Sequence, residues 1–155
     1  MLVITGVIDG PLTGGLPKAV EFYVVNDIDD LSIYGVGSAN NGAGSSGQEF
    51  TFPAGPVSAG QFLYLATEAT GFTSYFGFGP DYVSATAPNI NGDDAIELFM
   101  DGTVVDIFGE IVFSGVCSST CGSGGTWRAA LRPTSIRHHG PAASSSKSSW
   151  TFRSY

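Results

Sequence analysis

The sequence predicts an all-β domain, on three observations. The 40 Leu, Ile, Val and Phe residues are gathered in short runs, while Gly, Pro and Ser, 48 of 155 residues together, lie between them. That apolar share is too high for a disordered chain, so the Gly and Ser read as turns rather than as low complexity. The runs alternate with a period of two, the signature of a pleated strand. No stretch runs long without Gly or Pro, and Leu and Lys number only eight and two, which leaves little from which to build long helices. A chain of 155 residues is the size of one domain, and a single core at that size buries roughly 70% of the unfolded surface. One domain over 1–155 is therefore expected.

The elements follow in order. Leu2 to Ile8 is β-branched and apolar and stops at Asp9-Gly10-Pro11, and Thr13 to Pro17 is a loop. Lys18 to Val25 is a strand that sends Ala19, Glu21, Tyr23 and Val25 to one face and Val20, Phe22 and Val24 to the other. Asn26 to Asp30 is an acidic turn, and Leu31 to Val36 a short strand. Gly37 to Gly47 holds only small residues and reads as a mobile surface loop. Glu49 to Phe52 and Gln61 to Thr67 are strands. Phe72 to Phe78 is a helical turn or a packing loop, and Asn89 to Asp94 a tight polar turn. The sharpest local signal is Asp101-Gly102 between Ala95–Met100 and Thr103–Phe108, which predicts a hairpin with a type I′ turn. Val112 and Phe113 finish a strand, and Ser149 to Phe152 is the last one. Short strands with a turn after each argue for a sandwich or a barrel.

Charge divides the chain. All 14 acidic residues lie between Asp9 and Glu110 with Lys18 as the single cation among them, so residues 1–110 carry −13. Residues 111–155 carry +5, from Arg128, Arg132, Arg137, Lys147 and Arg153. A surface at −13 repels phosphate, which makes residues 1–110 a poor direct nucleic-acid reader. No run reaches the roughly 18 apolar residues of a membrane span. The opening Met1 to Gly6 lacks a basic region and a long apolar core, so it is no signal peptide. Either the chain is cytosolic or its signal lies elsewhere in a larger product, and abundant Gly, Ser, Thr and Asn with few Lys fit a secreted bacterial protein better.

The order of these pieces resembles the lamin-tail-domain family in its bacterial secreted form. The resemblance rests on Val3–Ile8, on Lys18–Asn26 with its Glu21-Phe22-Tyr23 centre, and on Asp30–Tyr34. It continues through Asn91–Leu98 and Gly102–Gly109 and closes with Ser149–Phe152. It implies an immunoglobulin-like β-sandwich serving as a non-catalytic accessory module, similar to the N-terminal domain of extracellular endonuclease/exonuclease/phosphatase-type nucleases. Its job would be attachment to a partner domain, the cell surface or a polymer, so the partner would be a protein or an extracellular polymer. The alternatives are an N-terminal fragment of such a nuclease without its catalytic domain, and a calcium-stabilised adhesion domain. Residues 116–139 depart from the family pattern, which calls for an acidic Gly-rich loop and an aromatic strand there. A divergent insertion and a shifted reading frame both account for that change.

Candidate chemistry is sparse. Asn91, Asp93, Asp94 and Glu97 present hard oxygen ligands of the type calcium takes, though without the fixed loop of an EF-hand. The alternative is a turn in which Asn and Asp bond their own backbone. Asp27, Asp29 and Asp30 form a second acidic group. Cys117 and Cys121 pair as a disulfide if the geometry permits, or stay as free thiols. Joining them to His138 and His139 as a zinc set falls outside the usual spacing. Phe72, Tyr75, Phe76 and Tyr82, with Phe78, make either a ligand surface for a sugar or polymer or one end of the core. No G-x-S-x-G nucleophile elbow occurs, and the acids sit mostly in turns, so no catalytic residue is assigned and the expected answer is not an enzyme. No cofactor beyond the calcium candidate is expected.

Overall fold

A computed structural model describes residues 1–91, 93–109 and 111 of the chain. In chain order the elements are β1 (Leu2–Leu12), β2 (Leu16–Val24), β3 (Tyr34–Ala39), β4 (Phe50–Thr51), β5 (Phe62–Ala66), α1 (Ala69–Phe76), β6 (Tyr82–Val83), β7 (Ala95–Met100) and β8 (Thr103–Phe108). Short 3₁₀ turns at Leu31–Ile33 and Asn40–Gly42 flank β3. Among the described residues the strands form two four-stranded sheets, in the orders β1-β2-β5-β6 and β4-β3-β7-β8. Only the β5–β6 pair is parallel among them.

The alternation in β2 and β5 places the core. Val20, Phe22 and Val24 of β2, with Leu63 and Leu65 of β5, face Tyr34 and Val36 of β3 and Ile96 and Leu98 of β7. Phe22 meets Phe52 edge to face, their centroids 5.5 Å apart. The two sheets thus pack as a sandwich over one apolar layer, and the all-β expectation holds. The opposite face of β2 and β5 is buried as well. Ala19, Tyr64 and Ala66 lie under Phe72 of α1, with Phe62, Phe76 and Phe78 at the rim. The helix therefore covers the outer face of the first sheet and gives it a second, smaller core.

The hairpin at Asp101-Gly102 forms as the sequence predicts. Asp101 and Gly102 both have positive φ, 49° and 74°, as a type I′ turn requires. Among the described residues its second arm is an edge strand, and Asp106 joins that edge to the other sheet. Asp106 Oδ2 accepts from Ile4 N of β1 at 3.0 Å, and Oδ1 accepts from Ile107 N at 3.0 Å. A charged residue at an edge also discourages pairing with another chain.

Four expectations need correction. β1 does not stop at Asp9 but runs on through Gly10 and Pro11 to Leu12. The ladder is irregular between Asp9 and Leu12, so Pro11 costs no regular pairing there. Leu31–Ile33 is a 3₁₀ turn rather than strand, started by Asp30, whose Oδ1 accepts from Ser32 N. The strand between Glu49 and Phe52 shortens to Phe50–Thr51. The largest change concerns Gly37 to Gly47. Residues Gly37 to Ala39 are the buried end of β3, paired with Ala95 to Glu97 of β7. Their smallness lets the chain fold back over them, since a Cβ on Gly37 would collide with the Gly47 carbonyl oxygen and press on the Phe99 ring. Small side chains permit close backbone packing at Gly37 to Ala39, whereas most of residues 40–47 are exposed, as a surface loop would be. The strands expected at Val112–Phe113 and Ser149–Phe152, the Cys117–Cys121 pair and segment 116–139 lie outside the described residues.

Candidate functional site

Asn91, Asp93, Asp94 and Glu97 do not converge into a cation site. Asp94 is buried, and both its oxygens accept backbone N–H groups, Oδ1 from Asn41 at 2.7 Å and Oδ2 from Asn91 at 2.8 Å. It pins the turn after β3 to the turn before β7, and its acceptor capacity is spent on the fold. Asp93 is exposed at the turn. Glu97 points to the outer face of the second sheet, paired across strands with Gly37 and Ile107, and is only 1% exposed. Among the described residues its Oε2 meets no hydrogen-bond donor. Among the described residues, no group of three or more Asp, Glu, His or Cys is arranged to hold a metal ion.

The aromatic residues divide as well. Phe72 is fully buried between α1 and β5, with Tyr64 and Phe78 around its ring at 6.0 and 5.5 Å. Phe76 is half-buried against Phe72 at 4.7 Å. Tyr82 belongs to the main core, packed on Phe52 at 5.2 Å and Phe50 at 6.1 Å. Only Tyr75, 46% exposed, faces solvent freely. The expected ligand surface is thus mostly core, on two sides of one sheet.

Other acids also serve the fold. Glu49 Oε2 accepts from both Ser38 N and Ser38 Oγ at 2.9 Å. Glu68 caps α1 by accepting from Gly71 N at 2.7 Å. Glu21, on the Tyr23 face as expected, is buried to 1% exposure beneath α1. It accepts from Thr5 Oγ1 at 2.8 Å and is hydrogen-bonded to the Tyr64 hydroxyl. Burial first, and the Glu21 carboxylate second, push the Tyr64 phenol well above its ordinary value of 10.0. Tyr82 moves the same way, by burial and then by Asp81. A folded-state pKa above the unfolded one gives stability that is complete below the unfolded value. That stability is lost as pH rises from there toward the folded value. Alkaline unfolding is therefore expected to begin above about pH 10, with tyrosinate absorbance rising in step with loss of the fold. Ionisation of all six tyrosines before unfolding would contradict the burial of Tyr64.

One end of the sandwich gathers several of the side chains that remain at the surface. The end of β2, the starts of β1, β3 and β5 and the β7–β8 turn all meet there, with Leu2 opposite Val24, Tyr34 opposite Met100 and Tyr23 opposite Phe62. Leu2 N donates to the Tyr34 hydroxyl across the two sheets. The loops are tied down: Asp27 Oδ1 accepts from Ala59 N at 2.7 Å, Ile28 bridges Val57, and Asp101 N donates to the Ile33 carbonyl. Met1, Val25, Ile33 and Met100 stay exposed at this end, four of the nine large apolar side chains that do so among the described residues. Asp27, Asp29, Asp30 and Asp101 are exposed beside them. The acidic turn was legible in the sequence; the apolar half was not. A usable signal was present in Val25, an apolar residue directly before an Asn-Asp turn and on the polar side of its strand's alternation.

Fold and site together define, over the described residues, an all-β sandwich of two four-stranded sheets with an acidic, apolar-studded loop end. Comparison with family models and with curated proteins finds no match to this chain. No helix among the described residues is long and apolar enough to cross a membrane.

Proposed function

We propose that this chain is a non-catalytic interaction module, attaching a secreted bacterial protein to a protein partner or an extracellular polymer. The observation that carries the reading is the loop end, where large apolar side chains stay exposed on hydrogen-bonded loops. Scattered apolar residues on a surface need no explanation, whereas apolar residues grouped on held loops are the usual form of a contact site. The disposition of the acids supports it. Asp94, Glu49, Asp106 and Glu68 all accept backbone N–H groups, so they act as braces rather than as free acids or bases. Secretion rests on the composition, and the lamin-tail-like, immunoglobulin-like assignment on the order of sequence pieces given above. The test is turnover. Purified full-length chain incubated with plasmid DNA and magnesium, and with aryl phosphate esters, is expected to give no product above buffer. Magnesium-dependent cleavage that copurifies with the chain would replace this reading with that of a nuclease.

A further inference from the structure

We propose that the loop end binds a basic polypeptide segment that carries apolar side chains between its Lys or Arg residues. This rests on the interaction-module reading and names the partner class. Charge complementarity selects the occupant. Residues 1–111 hold 14 acids and one Lys. That Lys18 lies toward the opposite end, where it pairs with Asp9 at 2.8 Å and donates to the Ile90 carbonyl. Among the described residues no Lys or Arg stands at the loop end. Asp29 and Asp101 stand exposed beside Val25, Ile33 and Met100, so an approaching segment meets negative charge and apolar surface together. Phosphate-bearing partners and anionic membranes are repelled by the same field. A neutral apolar partner would leave the Asp29 and Asp101 carboxylates to be desolvated without compensation, which costs free energy. A cationic segment with interleaved apolar side chains satisfies both halves of the surface.

The experiment uses the full chain and a fluorescein-labelled peptide of alternating Lys and Leu, read by anisotropy. Two loop-end variants, Asp29→Lys/Asp101→Asn and Ile33→Ser, and one control are compared with the parent. Asp29→Lys and Ile33→Ser change exposed residues at the loop end, and Asp101→Asn removes a charge while keeping a residue suited to the type I′ turn. Asp93→Lys changes an exposed acid at the far end as the control. The combined Asp29→Lys/Asp101→Asn change is expected to weaken binding about tenfold and Ile33→Ser about threefold, with the control within about twofold. Circular dichroism confirms that each variant keeps its fold. Equal weakening by Asp93→Lys would show that bulk charge alone attracts the peptide and would overturn the proposal, as would absence of binding. A carbodiimide cross-link between Lys147 and Asp29 within the monomer would make the chain's own basic segment the occupant, which also overturns it. None of these outcomes depends on the turnover assay, so failure of this inference and failure of the module reading are told apart.

Discussion

Phe72→Ala is expected to cost about 3–5 kcal/mol of unfolding free energy, while Tyr75→Ala, three residues on, is expected to cost less than about 0.5. The two aromatic residues share a helix and differ in what surrounds them. Phe72 has no exposed surface and fills the space between α1 and the outer face of the first sheet, against Tyr64, Phe76 and Phe78. Its removal leaves a cavity that the fixed strands beneath cannot close. Tyr75 is 46% exposed and meets Phe76 at 4.8 Å, a contact at the rim. Chemical denaturation of the two variants, followed by circular dichroism, measures the difference. Equal small losses would mean that α1 is dispensable cover and that its aromatic residues are free to serve a ligand.

Asp94→Ala is expected to cost about 3 kcal/mol, with Asp93→Ala near zero. Each oxygen of Asp94 accepts one backbone N–H, from Asn41 and from Asn91, so truncation leaves two donors without their acceptor. A charged acceptor makes each of these bonds stronger than a neutral one. The same pair of variants separates a structural brace from a calcium ligand. For a brace, the loss is the same with calcium or with EDTA, and the parent melts at one temperature in both. A fall in the parent's melting temperature on adding EDTA, absent in the Asp94→Ala variant, would restore the calcium reading. For a domain of this size, 3 kcal/mol corresponds to a shift of about 6–12 °C, well outside measurement error.

The strands that were legible are those whose two faces differ in the sequence itself. Val20, Phe22 and Val24 against Ala19, Glu21 and Tyr23 is such a pattern, and so is Leu63 and Leu65 against Phe62, Tyr64 and Ala66. Gly37, Ser38 and Ala39 have no such contrast, and they became strand because Glu97, Ile96 and Ala95 stand opposite them. Tyr82 and Val83 form an edge strand only because Leu65 and Ala66 lie within reach of their backbone. In the candidate site, the Asp27–Asp30 turn was readable as acidic and exposed. That Ile33 and Met100 join it follows from the pairing of Tyr34 with Met100, residues far apart in the chain.

Local chemistry alone determined the fold class, the faces of β2 and β5 and the Asp101-Gly102 hairpin, because period-two alternation and positive-φ turns are properties of a few consecutive residues. Tertiary structure decided which acids are braces, which aromatic residues are core and which apolar residues remain uncovered. A carboxylate and an aromatic ring have several uses each, and the choice is made by whatever the fold brings against them. For Asp94 that is a backbone N–H 53 residues away, and for Phe72 it is the outer face of a sheet that the alternation alone left open to water.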